Sequence, residues 1–463
     1  MKIAHITDLH LRHHTPGLAA NSPMRLREAY GMFFQALEKI KAEGVDRIVL
    51  TGDIVDVPYC VLHPTDYYTD LSPLFLPAIE KDYQAVHDAL EATGIPYSII
   101  PGNHDHYSTF QSVFPEAWET VDHGGFRFVS YSDREWKQNI PHRHDRERKR
   151  MVAEVSDPDS PPQIHIQHFL PFPVLDAGYP FNYHDAENIT RLYAESGKVV
   201  LSLSGHFHSG TEPVEKDGVT YSTAPGFCEA PFPFRVYTLD TNGISAQEFQ
   251  TLEKPLFAGK RMAILDRDGV INTLSSYTTG PEEMELIPGA GESILALKDA
   301  GYVVVLNTNQ SCVGLGEVAQ ETVDMNHDYL CHLLVEETGS IAAQPDIICY
   351  SVQAGAAAVL PEYTGTETMK PNTLLVDQAV DFHGLDTSKA WMVGDRMGDL
   401  EFARRFGASP ILVLTGDGES TLQHGGFQAL ENIPVCENLT SATCHILQNP
   451  AYRHIDRNTA IYR

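Results

Sequence analysis

The sequence predicts an α/β chain carrying two successive parallel-type sheets, and three observations predict it. Short β-branched runs recur along the chain and alternate with segments of helical apolar spacing. At 463 residues the chain exceeds one typical domain, so two or three are expected. Polar residues gather at the ends of the strand-like runs both before and after the Gly- and Pro-interrupted stretch Thr241–Lys260. Ligand sites of open α/β sheets lie at such strand ends.

Taken in order, Lys2–Ile6 reads as a strand ending in Asp8-Leu9-His10. Arg25–Ala42 places Leu26, Ala29, Tyr30, Phe33, Leu37 and Ile40 at helical spacing and is closed by Gly44. Arg47–Leu50 is a strand ending in Gly52-Asp53. Val57–Pro77 alternates Pro58, Pro64, Pro73 and Pro77 with Tyr59, Tyr67, Tyr68 and Phe75. It reads as a loop insertion beside the strand ends, either plain surface or a rim against substrate. The strand at Ser98–Ile100 opens at Pro101-Gly102 into Asn103-His104-Asp105-His106. Phe126–Ser130 is a strand, and the charge run His142–Arg150 reads as a solvated helix or connector, or else an anion-attracting edge. Gln163–Gln167 ends at His168, and Val199–Ser204 ends in Gly205-His206-Phe207-His208. Val219–Thr223 and Arg235–Leu239 close this half. Met262–Leu265 then ends in Asp266-Arg267-Asp268-Gly269, and Tyr302–Leu306 in Asn307-Thr308-Asn309-Gln310. Ala390–Val393 ends in Gly394-Asp395-Arg396-Met397-Gly398-Asp399, with a further strand at Ile411–Leu414. The expected division is 1–250, a linker 251–260, a second domain 261–447 and a polar tail 448–463.

Composition narrows the function. An apolar fraction of 42% supports real cores, and 21% charged residues is ordinary for a folded chain. A net charge of −29 opposes general nucleic-acid binding and acidic membranes. It also opposes phosphorylated substrates, so local cations must attract them. Seven cysteines, none in a CxxC pair, point to free thiols in a reducing compartment. No run reaches membrane-spanning length, and a cytoplasmic location is expected.

Four strands of the first half end in carboxylate, amide or imidazole side chains, which predicts a metal site at the carboxyl edge of a sheet. These blocks, Asp8-Leu9-His10, Gly52-Asp53, Gly102-Asn103-His104-Asp105, His168 and Gly205-His206-Phe207-His208, make residues 1–250 resemble the calcineurin-like metallophosphoesterases. The resemblance implies a layered α/β/β/α sandwich. It puts Asp8, His10 and His208 on one divalent metal, Asn103, His168 and His206 on the other, with Asp53 bridging. Mixed oxygen and imidazole ligands suit Mn, Fe or Zn without choosing among them. Two such ions clamp a phosphate and activate water, and His104 would protonate the leaving oxygen. Asp105 would orient His104 or cap its loop. His165 and His168 lie on opposite faces by strand alternation, and His168 is the expected ligand, with His165 in the core. His13, His14 and His106 are expected in outer positions. Ile6-Thr7-Asp8-Leu9-His10, Ser204-Gly205-His206-Phe207-His208-Ser209 and Thr223-Ala224-Pro225-Gly226 look most like the cyclic-nucleotide-phosphodiesterase type.

Asp266-Arg267-Asp268-Gly269-Val270, Thr308, Lys370-Pro371 and Gly394-Asp395 with Asp399 make residues 260–447 resemble the haloacid-dehalogenase superfamily. The implied fold is a Rossmann-like parallel-sheet phosphatase. Asp266 would be the nucleophile, forming an aspartyl-phosphate, and Asp268 the acid and base. Thr308 and Lys370 would hold the phosphoryl oxygens. Mg would be held by Asp395 with Asp266 and a backbone carbonyl, with help from Asp399, and Asp268 is counted among the metal-site residues. Asp266–Asn272 with Thr308-Asn309-Gln310-Ser311 looks like the heptose-bisphosphate and histidinol-phosphate phosphatases. Too few residues separate Asp268 from Thr308, and Thr308 from Lys370, for a large cap. Those relatives often carry a Cys/His zinc loop before the lysine. Here only Cys349 remains, so no zinc is expected.

The expected protein is a bifunctional phosphate-ester hydrolase whose two centres work separately. Its substrates would be small phosphorylated molecules such as nucleotides or sugar phosphates. The alternative keeps one half as a phosphate-sensing or scaffolding module.

Overall fold

The computed structural model describes residues 1–448 except 67–68, 137–138, 177, 241–242, 253–254, 274–277, 279, 425–429 and 431. The tail expected at 448–463 therefore falls outside the described residues from 449 onward.

Among the described residues the first half contains two large sheets packed face to face and a two-stranded ribbon, Arg134–Trp136 with Ile140–His142. One has five strands in the order Gly243–Gln250, Pro233–Asp240, Lys2–Ile6, Arg47–Leu50, Tyr97–Ile99. Its last three strands run parallel, and the first two close it antiparallel. The other has six strands in the order Val214–Lys216, Val219–Thr223, Val199–Ser204, Gln163–Ile166, Phe126–Ser130, Val121–His123. Ile3, Val49 and Ile100 meet Phe128, Ile164, Ile166, Leu201 and Leu203 in the layer between the sheets. Each such fully buried side chain stabilises the sandwich by about 1.5–3 kcal/mol. Helix Ala29–Glu43 covers the outer face of the five-stranded sheet with Met32, Phe33, Ala36, Leu37 and Ile40, and ends at Gly44 in the left-handed conformation. Helices Asp145–Ser156 and Ala186–Ser196 cover the other sheet through Met151, Val155, Ile189 and Tyr193. This is the α/β/β/α layering that the resemblance to the calcineurin-like metallophosphoesterases implies.

The second half is a single sheet of six parallel strands, ordered Ile347–Ser351, Tyr302–Asn309, Arg261–Leu265, Asp386–Gly394, Ser409–Val413, Val435–Cys436. Separate apolar clusters cover its two faces, as in doubly wound folds. Between Asp268 and Lys370 the described elements are two helices, Ala290–Asp299 and Gln320–Thr338, two sheet strands and short 3-10 turns. No cap forms among the described residues.

Three expectations are corrected. Val57–Pro77 is not a loop. It forms helix Tyr59–Leu62, a 3-10 turn Pro64–Asp66 and the first turns of helix Ser72–Glu91. Pro73 sits in that helix's first turn, where a missing N–H costs nothing, and Pro77 is carried inside it by buried Phe75, Ile79 and Tyr83. Tyr67 and Tyr68 lie outside the described residues. Gly243–Gln250, in the Gly- and Pro-interrupted stretch where no strand was expected, is an edge strand. Its largely exposed side chains leave no apolar face to recognise. The charge run His142–Arg150 is not wholly solvated, because Arg143 is buried with two bonds to Asp133, 2.8 and 2.9 Å long.

Candidate metal centres at two sheet edges

In the first half the strand ends turn sharply to bring their side chains together. Asp8, His10, Asp53 and His206 all adopt positive φ, between 41° and 66°. Left-handed backbone is unfavourable for such residues and concentrates at functional sites. Gly102 makes the approach possible, since a Cβ there would fall on the Asp53 carboxylate.

Asp53 lies at the centre. Its Oδ2 is 3.3 Å from His10 Nε2 and 3.3 Å from His168 Nε2. On one side His10 Nε2 is 3.3 Å from His208 Nε2, which is 3.9 Å from Asp8 Oδ1. On the other, His168 Nε2 is 3.0 Å from Asn103 Oδ1 and 3.2 Å from His206 Nδ1. The seven expected ligands are thus brought together as two adjoining sets sharing Asp53. The fit to cations follows from the donor chemistry. His168 Nδ1 donates to the Thr51 carbonyl at 2.7 Å, which turns Nε2 toward Asn103 Oδ1 and Asp53 Oδ2, both acceptors. A proton on Nε2 serves one of these contacts, whereas a divalent cation satisfies all of them.

The charges agree. Burial works against an ionised Asp53, but His168, His104 and His10 outweigh it and hold the carboxyl well below its usual range. Burial likewise opposes a charged His168, yet Asp53 raises it to about 9. Burial and then His168 push His206 down to about 2, leaving a neutral ring.

The structure supplies partners that sequence reasoning missed. Asp56 Oδ1 lies 2.9 Å from His104 Nδ1 and 3.2 Å from His10 Nδ1. Glu229 Oε1 lies 2.9 Å from His208 Nδ1, and Cys228 Sγ 3.8 Å from the same nitrogen. A charged residue three places after Asp53 in an apolar run was the available signal for Asp56; nothing local marked Glu229. Asp105 caps its loop, accepting from Gly102 N–H at 2.8 Å, Val55 N–H at 3.0 Å and the Tyr83 hydroxyl at 2.9 Å. Asp56 rather than Asp105 therefore orients His104. His165 is buried against Gln163 Oε1 at 2.8 Å. His14 pairs with Asp82, His106 with Thr109, and His13 stacks on Tyr30. Beside the centre opens a cavity of about 420 Å³ lined by Tyr59, His63, Tyr107, Arg134, Glu135 and Phe181 among others.

In the second half Asp266, Asp395 and Asp399 converge. Lys370 Nζ stands 2.7 Å from Asp266 Oδ1 and 2.6 Å from Asp399 Oδ1. Burial, then Asp399, raises Asp266 to about 7, while burial raises Asp395 to about 6. Asp395 Oδ1 is buried without a hydrogen-bond partner, and a bound cation would satisfy it. The Asp268 side chain, counted among the metal-site residues, is not one of the three carboxylates that converge. Arg267 grips its carboxylate at 3.0 and 2.9 Å, and Asn272 and Gln310 each donate at 2.9 Å. Despite burial, Arg267 and these donors lower it to about 2. Asp268 and Thr308 still line the same cavity as Asp266 and Lys370, about 120 Å³ in volume. Cys349 is buried, its thiol 3.8 Å from the Leu375 carbonyl.

Two sheet edges, each gathering ionisable groups suited to divalent metals and phosphate, define a phosphoester hydrolase. The family model for calcineurin-like phosphoesterases matches residues 1–210, and a HAD-hydrolase-like model matches residues 368–442. A D-glycero-D-manno-heptose-1,7-bisphosphate 7-phosphatase of Thermosynechococcus vestitus is 34% identical over 179 residues, spanning 38% of this chain and 91% of its own length. The D-glycero-beta-D-manno-heptose-1,7-bisphosphate 7-phosphatase of Pseudomonas aeruginosa is 33% identical over 190 residues, 41% of this chain and 99% of that one. The chain belongs, through its C-terminal half, to the family of these haloacid-dehalogenase-like phosphatases. Among solved structures, the heptose bisphosphate phosphatase of B. bronchiseptica, complexed with magnesium and phosphate, is 31% identical with a TM-score of 0.35, covering 41% of this chain and 98% of that one. A dimetal phosphatase from Danio rerio is 15% identical with a TM-score of 0.42, covering 55% and 97%. No described helix is long and apolar enough to cross a membrane.

Proposed function

We propose that the chain is a bifunctional phosphate-ester hydrolase, with a two-metal phosphodiesterase in residues 1–250 and an Mg-dependent phosphomonoesterase in residues 261–447, joined by 251–260. The position of Asp53 between His10 and His168 carries the first assignment. When bound, the cations supply positive charge that draws in a phosphate and lowers the pKa of a nearby water. Asp8, His10, Asp53 and His208 would hold one, and Asp53, Asn103, His168 and His206 the other. His104, fixed by Asp56 and facing the cavity, gives its proton to the leaving oxygen. The aromatic and charged walls of that cavity suit a small phosphorylated molecule such as a nucleotide.

In the second centre Asp395, with Asp266 and Asp399, would hold Mg. Asp266 attacks phosphorus, the ester oxygen departs, and an aspartyl-phosphate forms. Lys370 and Thr308 hold the phosphoryl oxygens. Asp268, kept ionised by Arg267, is set to take a proton from water in the hydrolysis of that intermediate; to protonate the leaving group it must first carry a proton and leave Arg267. The matched relatives point to sugar phosphates as the substrate class. Free, mostly buried cysteines support an intracellular location.

His104→Ala tests the first centre. Turnover of an aryl phosphodiester with Mn²⁺ falls roughly 10²–10⁴-fold while bound metal stays at the parent level. An unchanged rate removes His104 from the reaction.

Proton linkage provides a second test. His168, raised to about 9 from 6.5, stabilises the metal-free protein below pH 6.5, and that contribution is lost as pH rises through about 9. A cation must displace the same proton, so its affinity rises over this window. The gain in melting temperature on adding Mn²⁺ to chelator-treated protein therefore widens from pH 6.5 to 9. A constant gain contradicts metal binding at His168.

A further inference from the structure

The chain between Arg12 and Arg25 leaves the first half and lies against the second. Asn21 N–H donates to the Ile348 carbonyl at 2.9 Å, and its side chain bonds Tyr350 N–H and C=O at 3.0 and 2.8 Å. It thereby covers the outer edge of the six-stranded sheet. Gly17 N–H donates to Gln344 Oε1 at 2.6 Å. This path sets Arg12 against Asp328, in the middle of helix Gln320–Thr338.

Arg12 is gripped at both ends. Its Nη1 donates to Asp328 Oδ1 at 2.5 Å. Its Nη2 lies 2.7 Å from Asp56 Oδ2, and its Nε donates to the Asp56 carbonyl at 2.6 Å. All three residues are buried. Gly17, at φ +115°, leaves the space they occupy; a Cβ there would fall on both Arg12 Nη1 and Asp328 Oδ1. Asp56 Oδ1 serves His104 and His10 together, so the plane of that carboxylate sets both imidazoles. Arg12 holds the other oxygen, and Asp328 stops Arg12 from swinging.

We propose that Asp328, acting through Arg12, is a positioning residue for the first centre, so that the C-terminal half supplies the outer support of the relay Asp328–Arg12–Asp56–His104. The proposal rests on the reading of the first centre as hydrolytic. Without Asp328 the guanidinium is free to tilt, the Asp56 carboxylate turns with it, and His104 loses alignment with the leaving oxygen. The same helix reaches toward the other centre, where His327 Nε2 lies 3.5 Å from Arg267 Nη1.

The test uses the full chain, Mn²⁺ and an aryl phosphodiester. Asp328→Ala lowers kcat roughly 10–100-fold, the range for losing a residue that orients a metal site or its neighbours, with KM little changed. Asp328→Asn, which keeps an oxygen for Nη1, recovers most of that loss. In a His104→Ala background Asp328→Ala costs less than about threefold more, because the branch of the relay that reaches the leaving oxygen ends at His104, while His10 keeps its contact to Asp53 Oδ2 at 3.3 Å. Should Asp328→Ala fail to fold, Arg12→Lys replaces it, since one ammonium cannot grip both carboxylates as the guanidinium fork does. Parent kcat in Asp328→Ala or Arg12→Lys, or an undiminished loss in the His104→Ala background, overturns the relay. Failure of the underlying reading looks different: the parent shows no Mn²⁺-supported diesterase activity, or His104→Ala leaves it intact.

Discussion

Asp53→Asn removes Mn²⁺-supported phosphodiester hydrolysis and leaves the first centre with little bound metal, so that only the metal of the second centre remains. The carboxylate lies 3.3 Å from imidazole nitrogens on both sides. An amide of the same size offers one oxygen to one side and an N–H donor to the other, so it repels what it should hold. Breaking a buried charge pair by removing one partner costs about 3–5 kcal/mol, or about two to four decades of rate if it falls on the reacting state. Metal analysis and initial rates on the same preparation decide the matter. Full metal content with full activity would end the bridging assignment.

Asp266→Asn produces the complementary loss. The amide is a poor nucleophile, so no aspartyl-phosphate forms and Mg²⁺-dependent monoester hydrolysis stops, while the Mn²⁺-supported diesterase continues. A monoester whose hydrolysis survives Asp53→Asn is the proper substrate for this assay. Stability moves the opposite way to activity. Burial, then Asp399, raises Asp266 from 3.8 to about 7, so its ionised form destabilises the metal-free fold increasingly as pH climbs between those values. A neutral side chain removes that cost, and the metal-free variant melts above the parent at pH 8. Monoester turnover at the parent rate contradicts Asp266 as nucleophile.

The layered sheets were legible because the relevant strands are short apolar runs that stop at polar loops, as at Leu50 before Gly52-Asp53 and Ile100 before Asn103. The ligand clusters were legible for the same reason. What escaped the sequence depends on distance through space. Glu229 reaches His208 from a residue 21 places away, and Asp328 reaches Arg12 from 316 places away. Helix Ser72–Glu91 was hidden by its prolines, whose cost its buried face outweighs. Strand Gly243–Gln250 was hidden because its edge position leaves most of its side chains exposed. The pairing of the Asp268 side chain was not anticipated, although its partner Arg267 is adjacent in sequence.

Helix Gln320–Thr338 also bears on how the molecule comes apart. Met325 is buried in the core of the first half, while Leu18 and Ala20 pack onto a core of the second, and Tyr329 touches both. Heating cannot melt one half without stripping apolar cover from the other and either leaving Asp328 without Arg12 or leaving Arg12 with Asp56 alone. Calorimetry should therefore record one cooperative transition rather than two. The two halves would in this way form a single unit of stability, in which damage to the scaffold of one is felt by the other.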